Sequence, residues 1–109
     1  MKYLALVIFT ILLLSGLEAK AEDGEDVFKS LRCGICHKVD TGKTNPSLME
    51  IAQAYKGKES RLISYLQGES DPLVKPEKGG IMKGYIKKTK TLPDEERKSL
   101  ADFILKHLN

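Results

Sequence analysis

The sequence predicts an all-α domain. Apolar residues recur at helical spacing in four stretches, and no stretch alternates apolar and polar residues as a strand would. The one long loop-like segment, residues 69–91, holds Pro72, Pro76, Gly79, Gly80 and Gly84. The chain has 109 residues; the first 21 read as removable, which leaves 88. A domain of that size hides only about 60% of the surface its unfolded chain exposes, so its core needs a disulfide, a metal or a cofactor. Two cysteines exclude a disulfide-dense scaffold. With 41% hydrophobic and 30% charged residues, the chain is a globular domain and not a disordered one.

Residues 1–21 have the layout of a secretory signal peptide. Lys2 gives a positive start, Tyr3 to Leu14 form an apolar run of twelve residues, and Ala19-Lys20-Ala21 is a small-residue cleavage pattern. A run of that length is short for a hydrocarbon core needing roughly 20 residues. The expected division is therefore a signal peptide at 1–21 and one domain at 22–109, exported to a bacterial periplasm. Cleavage removes two lysines and one glutamate, so the formal charge falls from +3 to +2. That balance is too weak for nucleic-acid binding.

The first helix is expected from about Asp23 to Cys36, with Val27, Phe28 and Leu31 inward and acidic residues at its positive end. The second begins at Ser47, where Ser47-Leu48-Met49-Glu50 forms a capping box. Leu48, Ile51, Ala52 and Tyr55 make its apolar stripe, and Gly57 ends it. The third covers about Glu59 to Gln67, with Leu62, Tyr65 and Leu66 inward and Gly68 as its stop. A loop as long as residues 69–91 is unusual in so small a domain unless it wraps something. The last helix runs from about Pro93 to Leu108, with Pro93 in its first turn and Leu100, Phe103, Ile104 and Leu108 on the buried face.

Cys33-Gly34-Ile35-Cys36-His37 carries the chemistry. In a helical turn, positions i, i+3 and i+4 share one face, so both thiols and the imidazole point the same way. Two thiols at that spacing add to the two vinyl groups on one porphyrin edge, and the next residue reaches the iron; this is the c-type haem attachment signature. A thioredoxin-like redox pair expects a strand–helix unit, which this pattern lacks. A structural zinc site needs four ligands, and the other histidine, His107, is 70 residues away. A plain disulfide leaves the adjacent His37 unexplained.

With these residues in view, the sequence is similar to the small bacterial class I cytochromes c, short soluble monohaem electron carriers. The resemblance spans Glu22 to Asn109. It rests on the haem motif at the end of an N-terminal helix, the Asn45-Pro46 step nine residues past His37, Met82 in a late Gly-rich loop, and the terminal helix LPDEERKSLADFILKHL. It implies a cytochrome c fold, with four short helices wrapped around one covalently attached haem c and the N- and C-terminal helices crossing at Phe28 and Phe103. It also implies that Cys33 and Cys36 hold the haem, that His37 and Met82 ligate the iron, and that the Pro46 carbonyl accepts a hydrogen bond from the axial imidazole. Met82 is preferred to Met49 because a loop can curl over the far haem face. Met49 follows Pro46 on a helix and stays on the His37 side. His107, at the end of the last helix, reads as a partner of the helix dipole.

The chain departs from many relatives at three places. Lys83, not proline, follows Met82; no tryptophan exists to bond a propionate; and Gly84 to Thr91 form an extra turn around the methionine loop.

His and Met ligation fills both axial positions and raises the reduction potential. The expected function is a diffusible periplasmic one-electron carrier, not an enzyme. Its transient partners would be a quinol-oxidising complex or dehydrogenase as donor and a terminal oxidase or reductase as acceptor. Lys38, Lys43, Lys75, Lys78, Lys83, Lys87, Lys88 and Lys90 would ring the exposed haem edge and steer the carrier to acidic surfaces. The alternatives are a ligand-binding, sensor or peroxidase haem protein with an open sixth site, and a haem-free thiol–disulfide protein.

Overall fold

The computed structural model describes residues 23–40, 45–75 and 79–108. The signal segment, the boundary at residue 22, and Lys43, Pro76 and Lys78 lie outside the described residues. Every regular element described is helical: α1 (Gly24–Ser30), a 3-10 turn (Cys33–Ile35), α2 (Leu48–Ala54), α3 (Glu59–Leu66), α4 (Gly79–Thr89) and α5 (Asp94–Leu105). The all-α expectation holds, with five α-helices where the sequence pattern indicates four.

Helix α1 starts because the Asp23 carboxylate accepts the Asp26 N–H at 3.0 Å, with Glu25 and Asp26 at the positive end of the dipole. It stops sooner than the apolar spacing indicates. Arg32 adopts a left-handed conformation at φ 59°, which ends the α-helix and starts a tighter turn. The haem motif therefore lies on a 3-10 turn, not on the tail of a long helix. Its compactness survives, because the N–H groups of Cys36 and His37 both reach the Cys33 carbonyl, at 3.2 and 2.9 Å.

The capping box of α2 forms as its residues require: Glu50 N–H donates to Ser47 Oγ at 3.1 Å, and Ser47 N–H to Glu50 Oε1 at 3.4 Å. Helix α3 closes in a Schellman motif, with Glu69 N–H bonded to the Ser64 carbonyl and Gly68 N–H to that of Tyr65. Gly68 has φ +78°, a conformation that glycine enters without steric cost.

The segment expected to be loop holds the largest correction. Residues 79–89 are helical, although three glycines each disfavour a helix by roughly 1 kcal/mol relative to alanine. Tertiary bonds at the C-terminal end override that propensity. Thr89 Oγ1 donates to the Leu66 carbonyl at 2.6 Å, and the Arg97 side chain binds the carbonyls of Thr89, Lys90 and Leu92. The extra turn expected over Gly84 to Thr91 is largely the continuation of this helix. At α5, Pro93 is the N-cap and not part of the first turn, and the helix ends at Leu105. Leu108 lies beyond that end and is exposed, contrary to its place on the expected buried face.

Helices α1 and α5 cross closely. The Phe28 and Phe103 rings sit 5.1 Å apart at 51°. A Cβ on Gly24 would overlap the Ser99 carbonyl and lie 2.6 Å from Phe103 Cβ, so only glycine lets the two backbones approach this far. Around the crossing, Val27, Leu48, Ala52, Leu62, Leu66, Leu100, Ala101 and Ile104 form the buried core. Ile51, Tyr65 and Phe103 are only half-buried; the first two line a pocket beside that core.

Candidate functional site

That pocket is bordered by twenty residues drawn from the whole fold. Its walls are mainly apolar: Phe28 from α1 and Leu31 just after it, Leu48 and Ile51 from α2, Leu62 and Leu66 from α3, Leu100 and Ile104 from α5. Cys33, His37, Asn45, Pro46, Met82 and Tyr85 complete it. A smaller cleft of about 410 Å³ continues along the cysteine edge. It shares Cys33, His37, Asn45, Met82 and Tyr85 with the main pocket and adds Arg32, Cys36 and Ile81. Of the five residues predicted from sequence, Cys33, His37, Pro46 and Met82 line the main part of this slot and Cys36 lines the smaller part beside it.

Local bonding orients the imidazole. After the 3-10 turn, Leu48 N–H donates to the Lys38 carbonyl at 2.7 Å and Met49 N–H to that of Val39 at 3.1 Å. These bonds draw the start of α2 against the haem-motif segment. They place the Pro46 carbonyl 2.8 Å from His37 Nδ1. A carbonyl only accepts, so Nδ1 carries the proton and Nε2 holds the free lone pair. The imidazole is thereby set in the tautomer that a metal-ligating histidine uses.

The two cysteines form no disulfide. Burial pushes the Cys33 thiol above its ordinary pKa. A backbone hydrogen bond opposes that shift, the neighbouring Cys36 adds to it, and Lys88 opposes it weakly. A reactive redox thiol is the reverse case, with a pKa lowered by a helix N-terminus or adjacent cation. Among the described residues no group of three or more His, Cys, Asp or Glu side chains is placed to hold a metal ion. What the slot offers is an apolar cavity, two thiols on one edge, an imidazole oriented by the Pro46 carbonyl, and a thioether. That donor set fits a covalently held haem.

Met82 enters the slot from helix α4 and not from a loop. The expected loop placement of Met82 is thus corrected: Met82 and Tyr85, three residues apart on one face of α4, both line the pocket. Met49 stands apart for another reason, since it borders a separate surface hollow with Leu73 and Val74. His107 borders neither part of the slot. Its Nδ1–H donates to the Phe103 carbonyl at 2.8 Å at the end of α5, and its ring stacks edge-on against Phe103.

Three features of the site were not anticipated. Tyr55 is almost wholly buried, and its hydroxyl accepts the Leu73 N–H at 3.1 Å, which fixes the segment after α3 against the slot. Thr89 and Arg97, both buried, fasten α4. Arg97 left a trace in the sequence, since it shares the helical stripe of Leu100, Ala101 and Ile104, where a charge is out of place.

Outside the slot, the side chains beside its cysteine edge are apolar and basic. Ile35 and Ile81 are 63% and 75% exposed, and Lys38, Lys83, Lys87, Lys88 and Lys90 are exposed nearby in the sequence. No helix among the described residues is long and apolar enough to cross a membrane.

Residues 21–107 match the sequence profile of the family described as Cytochrome c. The chain is 33% identical over 90 residues to cytochrome c-551 of Stutzerimonas stutzeri, which covers 80% of this chain and 79% of that protein. It is 29% identical over 85 residues to cytochrome c-551 of Ectopseudomonas mendocina, covering 75% and 94%. With cytochrome c-551 of Azotobacter vinelandii the identity is 27% over 89 residues, covering 79% and 99%.

Proposed function

The chain belongs to the cytochrome c family, and from that premise we propose that it is an exported one-electron carrier whose haem iron takes His37 on one face and Met82 on the other. The cofactor is one haem c, joined through Cys33 and Cys36. The observation that carries the axial assignment is that His37, with its proton held on Nδ1 by Pro46, and Met82 border the same apolar slot.

The bound haem supplies one-electron exchange between ferrous and ferric iron. The protein contributes position, electronics and access. Cys33 and Cys36 tether the porphyrin edge so that the cofactor stays with a soluble carrier. The Pro46 carbonyl holds the His37 ring and increases its donor strength. The Met82 thioether favours the ferrous state and raises the potential. The Leu, Ile and Phe walls keep water from the iron, which also favours the form of lower net charge. With His37 and Met82 holding the iron, the bound group would leave no open site for small ligands, and the protein would act as a carrier and not as an enzyme.

Export to the periplasm follows from the Met1–Ala21 pattern, and cleavage leaves the domain from Glu22 onward. Its partners are redox proteins met transiently, a quinol-oxidising complex or dehydrogenase on one side and a terminal oxidase or reductase on the other. Exposed Ile35 and Ile81, with Lys38, Lys83, Lys87 and Lys88, offer an apolar contact within a basic field.

Absorption of the purified mature protein tests the assignment. The oxidised protein should show a near-infrared sulfur-to-iron charge-transfer band that Met82→Ala abolishes while the covalent haem is retained. Rapid carbon monoxide binding by the native reduced protein would instead indicate an open sixth site and a ligand-binding haem protein.

A further inference from the structure

Helix α4 buries little of itself. From Gly80 onward only Thr89 is buried, and Met82, Tyr85 and Ile86 are half-buried. Its firm attachment is at the C-terminal end. Thr89 Oγ1 reaches back to the Leu66 carbonyl at 2.6 Å, at the end of α3. From α5, Arg97 Nε donates to the Thr89 carbonyl at 3.1 Å, and Nη2 donates to the carbonyls of Lys90 and Leu92 at 2.8 and 2.7 Å. Nη1 donates to Asp94 Oδ1 at 2.7 Å. The Arg97 side chain is 5% exposed, whereas Asp94 is 93% exposed, so the ion pair itself contributes little.

A helix leaves its last carbonyls without partners, and its dipole favours a cation there. A buried guanidinium is tolerated only when its donors are satisfied, and here the carbonyl of Thr89, the last residue of α4, and those of Lys90 and Leu92 in the link to α5 do most of that. The planar fork of arginine spans them together, which a lysine ammonium cannot do. The helix so capped is the one that carries Met82, seven residues or about two turns before Thr89.

We propose that Arg97 is a positioning residue for the sixth ligand: by clamping the C-terminal end of α4 it holds Met82 at the slot. The inference rests on Met82 being the iron ligand. Without the clamp, α4 remains joined to the domain by Met82, Tyr85, Ile86 and Thr89, and Met82 leaves the iron at lower cost than unfolding the whole domain.

The test uses haem-loaded mature protein as wild type, Arg97→Gln, Arg97→Lys and Met82→Ala. Guanidinium chloride titrations follow the near-infrared sulfur-to-iron band and the far-ultraviolet helix signal in the same samples, and carbon monoxide binding to the reduced proteins is timed without denaturant. In R97Q the gap between band loss and helix loss should widen relative to wild type, and carbon monoxide should bind at least tenfold faster, with R97K in between. A wild-type gap and a wild-type binding rate in R97Q would overturn the proposal, leaving Arg97 as ordinary scaffolding. A band missing from the wild type, or persisting in M82A, would overturn it through its premise, and both of those readings come from proteins with Arg97 intact. If R97Q fails to accumulate, Arg97→Lys decides the matter: a widened gap and faster carbon monoxide binding support the clamp, and wild-type values of both overturn it.

Discussion

His37 Nδ1 lies 2.8 Å from the carbonyl oxygen of Pro46, so a residue nine positions along the chain fixes Nδ1 as the donor and leaves Nε2 as the nitrogen that the proposed iron site would use. The bond comes from backbone and not from a side chain. Changing Pro46 to alanine therefore leaves the acceptor in place. We expect Pro46→Ala to lower stability by about 0.4–1 kcal/mol, through greater freedom of the unfolded chain, and to leave the reduction potential at the wild-type value. A large fall in potential would show that the proline ring, and not its carbonyl, governs the imidazole.

Both thiols are needed for a complete attachment. Cys33→Ala or Cys36→Ala should sharply reduce the yield of haem-bearing exported protein. What matures should carry one thioether bond, readable in the haem spectrum after denaturation in pyridine and in the mass of the chain. Normal yield of doubly linked product from either variant would contradict the site.

Gly24→Ala tests the helix crossing. Alanine favours a helix interior over glycine by roughly 1 kcal/mol, but here its methyl group would overlap the Ser99 carbonyl. That atom belongs to α5 backbone and yields only if the helices separate. Overpacking of this kind costs about 1–3 kcal/mol or more, so the net effect should be destabilising. A fall in Tm of several degrees, with the haem spectrum unchanged, is the expected result; a raised Tm would refute the close approach.

Electrostatic steering should be visible in rates. Between roughly 0.01 and 0.15 M salt the Debye length shrinks from about 30 to about 8 Å. Second-order electron transfer with an acidic redox partner should slow steeply over that range. Lys83→Glu and Lys87→Glu should weaken the salt dependence without shifting the potential. Rates indifferent to salt would mean that the lysines serve solubility only.

Much of this protein is legible in short windows of its sequence. The Ser47–Glu50 capping box, the glycine stop at Gly68, the Phe28–Phe103 crossing and the haem motif follow from contacts between near neighbours or from plain helical periodicity. The His37–Pro46 bond is a longer reach, visible only through resemblance to a family. Helix α4 defeated local reading because Gly79, Gly80 and Gly84 vote against it, and the bonds that sustain it come from Leu66 and Arg97, elsewhere in the chain.

The chemistry is written in short-range spacing: two thiols and an imidazole gathered around one turn, in a chain too small to fill its own interior. Long-range packing fixes how that chemistry is held. It broke the first helix at Arg32, turned the methionine segment into a helix, and buried Arg97 against three carbonyls. Spacing governs what neighbouring residues can do together. Whether a glycine-rich segment coils, and where a buried guanidinium finds its acceptors, depends on partners that only folding brings within reach.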